Sequence, residues 1–265
     1  MDLDLKHPVA LVPTMGALHA GHASLIEIAK KYCSDVVVSI FVNPLQFENP
    51  NDFSSYPKSV DSDVELATTS GATKIWVPTF DEIYPSDPVI IASGAIGNLF
   101  EGVHRFGHFD GMLTVVKRLF DLVQPQFAVF GEKDFQQLFL IKKMVKEMNL
   151  PIEIISAPTI RDASGLAMSS RNIRLSNSDR ESAIGIFRAL ESANSAAQLE
   201  AARTELIKGI SSIPNFLVDY AELIDENSFE VATTETKNVR AIVAGWINGV
   251  RLIDNMAMVK LGVSK

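Results

Sequence analysis

Two histidines three residues apart, His19 and His22, stand in the stretch Pro13-Thr14-Met15-Gly16-Ala17-Leu18-His19-Ala20-Gly21-His22. At that spacing on the first turn of a helix, both rings can point the same way. A helix N-terminus adds N–H groups and partial positive charge, which favour an anion. Two imidazoles beside it suit a polyphosphate and can stabilise charge that builds on it during reaction. Gly16 and Gly21 let the backbone approach a ligand or take positive φ. The bland alternative is a helix start with two solvated histidines. Zinc is a further reading, but no third ligand is evident nearby.

Three more stretches carry chemistry-bearing residues. Phe41-Val42-Asn43-Pro44-Leu45-Gln46-Phe47 sets the neutral amides of Asn43 and Gln46 beside apolar side chains, a mixture that suits a small hydroxy acid with methyl groups. Alone, it reads more simply as an Asn-Pro turn. Gly131-Glu132-Lys133-Asp134-Phe135-Gln136-Gln137 offers a backbone-permissive glycine, a mobile cation for phosphate and an aspartate able to cap a helix. Gln137 falls one turn into that helix. Leu166-Ala167-Met168-Ser169-Ser170-Arg171-Asn172 has two hydroxyls and a guanidinium, the makings of a phosphate-gripping loop. Gly165 ahead of it is expected to allow movement. Arg105 and His108 could reach a carboxylate or phosphate, or could simply belong to a surface loop.

The elements that must position these groups follow from periodicity. Residues 9–12, 36–42, 74–77, 127–130 and 152–155 are short apolar runs, each read as a buried strand. Between them, 24–32, 60–70, 113–123 and 135–148 carry apolar residues at helical spacing. Gly71 is the expected stop of the second helix. Alternating β and α with such strands predicts a Rossmann-like α/β fold, a parallel sheet with helices on both faces. Ligands of such sheets bind at the carboxyl ends of the strands. The loops after Val12, Val42 and Phe130 are therefore where a site is expected, and three of the four stretches lie there.

From about residue 176 the texture changes. Helices are expected over 178–190 and 196–210, and strands over 217–224, 239–247 and 250–253. The reading is a Rossmann-like domain over 1–159 and a smaller α+β domain over 160–265.

Composition bounds the function. The chain has 265 residues, 47% hydrophobic and 21% charged, ordinary for a soluble globular protein. Its 24 basic and 32 acidic residues leave a net charge of -8, which repels phosphate backbones and disfavours nucleic acid as main partner. With a single cysteine, Cys33, no intrachain disulfide can form. The first six residues lack the apolar core of a signal peptide. No apolar run is long enough to span a membrane. The cytoplasm is the expected location. A Walker-type lysine loop and a Gly-x-Gly-x-x-Gly are both missing, which argues against a P-loop kinase and an NAD enzyme.

The four stretches, in this order, resemble the signature blocks of the pantothenate synthetase family. So do Tyr56-Pro57-Lys58, Gly107-His108-Phe109-Asp110-Gly111 and Arg251-Leu252-Ile253-Asp254-Asn255. The resemblance covers almost the whole chain. The histidine pair alone is shared more widely, by other nucleotidyltransferases and some aminoacyl-tRNA synthetases. The resemblance implies a homodimeric ligase with a C-terminal lid, taking ATP, Mg²⁺, pantoate and β-alanine through a pantoyl adenylate. It implies that His19, His22, Lys133 and Arg171 are catalytic. Met15, Gly131, Asp134, Ile160, Met168, Ser169 and Ser170 would join His22, Lys133 and Arg171 around ATP, while Pro13, Met15, Gln46 and Gln137 hold pantoate. Asp63 is the candidate metal ligand, in a run Asp61-Ser62-Asp63 where relatives often carry an acid in place of the serine. Relatives usually have a short strand and helix ahead of the first strand, where this chain has a stub. The competing readings are a different nucleotidyltransferase, which should lack the Asn43 and Lys133 blocks, and a relative that binds nucleotide without turnover, which should have lost a catalytic residue.

Overall fold

The computed structural model describes residues 5, 8–48, 53, 54, 56, 57 and 59–261. The reading of residues 1–4 and 6, and Lys58 of the Tyr56-Pro57-Lys58 block, lie outside them. The chain divides into two compact units, Met1–Pro158 and Thr159–Lys265.

The first unit is built on a parallel five-stranded sheet in the order β3-β2-β1-β4-β5, with β1 Val9–Thr14, β2 Asp35–Ile40, β3 Lys74–Trp76, β4 Phe127–Gly131 and β5 Glu153–Ala157. Its helices are α1 Ala20–Ala29, α2 Val60–Ser70, α3 Phe80–Ile83, α4 Glu101–His104, α5 His108–Val123 and α6 Phe135–Glu147. The strands are apolar on both faces because both faces are covered. Ala10, Val12, Val36 and Val38 pack with Ile26 of α1 and Ala67 of α2. Val9, Leu11 and Val37 pack on the other side with Met112 and Leu119 of α5 and Leu138 of α6. Gly71 ends α2 in the left-handed region, as expected.

Two helices start earlier than periodicity indicated. The first begins at Ala20, capped by His19. The fifth begins at His108, after Gly107 at φ 71, and its apolar stripe takes in Phe109 and Met112.

The strand order reverses direction between β1 and β4. At such a switch point the following helices leave on opposite sides and open a crevice at the strands' carboxyl ends. The loops after β1 and β4 carry the histidine pair and Lys133.

In the second unit, α7 Asn177–Asn194 and α8 Leu199–Ser211 cover an antiparallel sheet of β6 Phe216–Asp225, β7 Val239–Ile247 and β8 Val250–Ala257. Ile186, Leu190 and Leu206 pack with Leu223, Val243 and Leu252. Asn248 and Gly249, both at positive φ, make the two-residue turn between β7 and β8. Strand β8 runs four residues past the expected end. Asp254 and Asn255 look like a polar stop in the sequence, yet both are buried and bonded to arginine. No helix of the described residues is long and apolar enough to cross a membrane.

Candidate active site

Met15, Gly16, Ala17 and Leu18 carry the chain from β1 into α1. Gly16 has φ 86 and Ala17 φ 50, a turn that must be held from outside. Asp63 of α2 holds it. One carboxylate oxygen accepts the N–H of Ala17 at 2.9 Å, the other the N–H of Leu18 at 2.7 Å and the hydroxyl of Ser59 at 3.1 Å. Asp63 is buried, 2% exposed. A Cβ on Gly16 would stand 3.0 Å from this carboxylate. Both oxygens of Asp63 are thus engaged in shaping the loop, a positioning role that the sequence does not indicate. Among the described residues no group of three or more His, Cys, Asp or Glu side chains could hold a metal ion.

His19 is the cap of α1. Its Nδ1 accepts the N–H of Gly21 at 3.1 Å, and Nδ1 of His22 accepts the N–H of His19 at 3.2 Å. The rings lie 4.2 Å apart between centroids. A backbone N–H can only donate, so both Nδ1 atoms present lone pairs and both rings carry their proton on Nε2. Burial lowers the His19 pKa to about 4, helped by Lys133 and opposed by Asp134. Burial lowers that of His22 to about 3, helped by His19 and Lys133 and opposed by Asp134. The pair is thus neutral at pH 7 and offers two Nε2–H donors. Lys133, in the turn after β4, supplies the positive charge, and its Nζ stands 4.0 Å from the Asp134 carboxylate. The structure brings His19, His22, Lys133 and Asp134 together. Asp134 sits at the cap of α6 but makes no capping bond; its charge acts on the histidines instead.

The Asn43 stretch is more than a turn. Asn43 is fully buried. Its Nδ2 donates to the Gly111 carbonyl of α5 at 3.0 Å and to Gln46 Oε1 at 3.5 Å; its Oδ1 accepts from the Tyr84 hydroxyl at 3.3 Å and the Leu45 N–H at 3.4 Å. Burial pushes the Tyr84 phenol up, so it remains a donor. Gly111 is required: a Cβ there would lie 2.1 Å from the Leu45 carbonyl oxygen. His108 Nδ1 meets the Gln46 carbonyl at 2.9 Å, so His108 fastens this loop from below. These contacts fix Gln46, whose Nε2 donates to Met15 Sδ at 2.7 Å. Gln46 and Met15 thus come together.

Beside them a cavity of about 320 Å³ opens at the ends of β1, β2 and β3, with Met15, Phe41, Pro44, Val77 and Phe80 in its wall. Of the expected site residues, only Met15 and Asp63 border it. Gln137 is partly buried. Its neighbour Gln136 was not singled out in the sequence, yet its buried amide accepts from Glu101 N–H and donates to the Ile96 and Leu99 carbonyls, tying that segment to α6. Two adjacent glutamines give no signal of which one faces inward. Cys33 donates to the Asp35 carbonyl at 3.3 Å, and burial raises its thiol pKa, the opposite of a nucleophile.

Ile160, Met168, Ser169, Ser170 and Arg171 belong to the second unit and are partly buried there. Ser169 Oγ accepts the Arg171 N–H at 3.3 Å and opens a single 3-10 turn over Ser170–Arg174. Gly165 stands at the tight tip of a hairpin at φ 94, with the Phe187 ring 2.2 Å from where a Cβ would be.

A family model described as Pantoate-beta-alanine ligase matches residues 2–257. The pantothenate synthetase of Acidothermus cellulolyticus is 46% identical over 97% of this chain and 87% of its own length. The pantoate–β-alanine ligase of Schizosaccharomyces pombe is 42% identical over 94% and 90%. Among solved structures, pantothenate synthetase from Thermus thermophilus superposes with a TM-score of 0.91 at 39% identity, over 95% and 94% of the two chains. The Francisella tularensis ligase, complexed with a β,γ-ATP compound and β-alanine, gives 0.78 at 37% identity over 95% and 90%. With its site built on the same fold as these relatives, the chain belongs to the pantoate–β-alanine ligase family.

Proposed function

We propose that this chain activates pantoate with ATP and passes the pantoyl group to β-alanine. A pantoate carboxylate oxygen attacks the α-phosphorus, the bond to the bridging oxygen breaks, and pyrophosphate leaves. The free amine of β-alanine then attacks the acyl carbon of the adenylate, AMP leaves, and the amine proton is lost with formation of the amide. In such steps the protein mostly positions groups and neutralises charge.

The observation that carries the reading is the neutral imidazole pair beside Lys133. Two aimed N–H donors and one mobile cation suit the phosphates and the departing pyrophosphate. Ser169, Ser170 and Arg171 add donors to phosphate oxygens. Gly131, Asp134, Ile160 and Met168 lie along the nucleotide. Gln46 and Gln137 hold the pantoate hydroxyls and carboxylate, with Pro13 and Met15 against its methyl groups. The Francisella relative, by its own description, was seen with a β,γ-ATP compound and β-alanine. Magnesium would enter as Mg·ATP and would neutralise phosphate charge there. The side chains of the described residues offer no cluster of their own to hold it.

The test is pyrophosphate release from Mg·ATP by purified protein with D-pantoate, with and without β-alanine. Sustained release with AMP and pantothenate formed only in the full mixture supports the reading. Silence with pantoate, in a folded protein that binds ATP, overturns it. We also propose a cytoplasmic homodimer, as the resemblance implies; sedimentation at the mass of one chain would refute the dimer.

A further inference from the structure

Asp254 and Asn255 lie on β8 with 6% and 4% exposure. A buried carboxylate is costly without a partner of good geometry. Asp254 has one: Arg161 donates from Nη1 to Oδ2 at 2.6 Å and from Nη2 to Oδ1 at 2.9 Å, a two-pronged pair. The same guanidinium reaches the Gly165 carbonyl at 3.2 Å and stands 4.5 Å over the Phe187 ring. Arg240 takes the Asn255 side chain at 2.6 Å and Glu226 at 2.6 Å, so the polar row on the sheet is braced from both sides.

Arg161 is the first arm of the hairpin that ends in the serine-arginine turn. It bridges Ala167 across the hairpin, the Met168 N–H donates to the Ile160 carbonyl at 2.9 Å, and the Asp162 N–H donates to the Leu166 carbonyl at 3.0 Å. Beyond it, Asn172 Nδ2 donates to the Ala167 carbonyl at 2.9 Å, and Arg180 holds the Asn172 carbonyl at 2.9 Å. Ser169, Ser170 and Arg171 are thus suspended between two fixed points, of which the stronger is an ion pair to the sheet.

We infer that Arg161 and Asp254 are a positioning pair that fixes the backbone of residues 168–171 for phosphate oxygens. This rests on the phosphate-gripping reading of Ser169, Ser170 and Arg171 above. Neither residue of the pair needs to touch the nucleotide. A planar fork is required, because a lysine cannot make both bonds and stack on Phe187 at once.

The test is Asp254→Asn, with Arg161→Lys as a second variant that keeps the charge should the first not fold. Arg203→Lys is the control, a residue whose partners are Glu200, Glu222 and the Ala232 carbonyl. In the variant that folds, KM for ATP should rise roughly tenfold or more, because small misplacements of binding groups are expensive. KM for pantoate and β-alanine should stay within about twofold of wild type, as should all three constants in Arg203→Lys. Backbone amides of 166–171 should exchange faster while those of 239–247 do not. An unchanged KM for ATP, or an equal rise in all three constants, overturns the inference. If wild type itself releases no pyrophosphate, the reading of the site fails separately. The exchange measurement then judges the pair alone: unaltered exchange at 166–171 rejects it, and loosening confined to that loop supports it.

Discussion

Nδ1 of His22 accepts the backbone N–H of His19, closing the first turn of α1 on itself. The spacing of the pair is therefore dictated by helix geometry before any ligand is considered. Using both Nδ1 atoms as acceptors decides the tautomers and leaves Nε2–H as the working end of each ring. A neutral donor can stabilise developing charge without the solvation cost of burying two cations side by side.

This tautomer assignment has a direct check. Nitrogen-15 NMR of the free protein at pH 7 should show His19 and His22 neutral and protonated on Nε2. They should stay neutral on acidification to about pH 5, above their pKa values of about 4 and about 3. Either ring found charged at pH 7, or protonated on Nδ1, contradicts the geometry.

The same shifts set a sign for stability. Both folded pKa values lie below the ordinary 6.5, so below pH 6.5 the unfolded chain binds more protons than the folded one. Stability then falls with falling pH. The loss from the pair begins near pH 6.5 and is complete only below about 3; above 6.5 the pair contributes no slope. His22→Asn keeps an acceptor for the His19 N–H but does not titrate. Its urea midpoint should decline less steeply than wild type between pH 6.5 and 4. Parallel curves would contradict the shift at His22.

Removing a phosphate contact should show in the first half-reaction. His19→Ala or Lys133→Ala should slow pyrophosphate release by roughly tenfold or more, equivalent to ~1.4 kcal/mol of transition-state stabilisation. Wild-type-like adenylation in both, measured in single turnovers with pantoate, would remove these residues from the mechanism.

The parts of this molecule legible in its sequence are those governed by short-range rules. Apolar runs between turn residues located every strand of the parallel sheet, and the strand-end rule pointed to the loops after β1, β2 and β4. Long-range polar contacts were not legible. Asn43 looked like a turn residue because its partners, Gly111 and Tyr84, are 68 and 41 residues away. Asp254 looked like the end of a strand because its partner is Arg161, 93 residues away. The family resemblance makes Asp63 a candidate metal ligand, and nothing in the local pattern points to the N–H groups of Ala17 and Leu18 that its carboxylate accepts.

Gly111→Ala tests how tightly the Asn43 loop sits on α5. The added methyl would lie 2.1 Å from the Leu45 carbonyl, which is backbone and has no side-chain freedom to yield. Overpacking of this kind typically costs about 1–3 kcal/mol. As Gln46 rides on the displaced loop, KM for pantoate should rise more than KM for ATP. Thermal unfolding and steady-state kinetics decide it; unchanged stability would show that the loop is free to move away.

Asp63→Asn separates positioning from metal binding. The amide keeps one acceptor but turns an NH₂ toward a backbone N–H, so either the Ala17 or the Leu18 bond is lost and two donors face each other. An unsatisfied buried donor costs about 1–3 kcal/mol, and the loop that aims His19 should loosen. Adenylation is expected to fall, together with the midpoint of thermal unfolding, at every magnesium concentration. If Asp63 were a ligand, the dependence on magnesium would change instead, and excess metal would recover the rate in a protein of unaltered stability. A titration of Mg²⁺ at saturating ATP, run beside melting curves of both proteins without nucleotide, distinguishes the two. The three bonds Asp63 makes predict the first result.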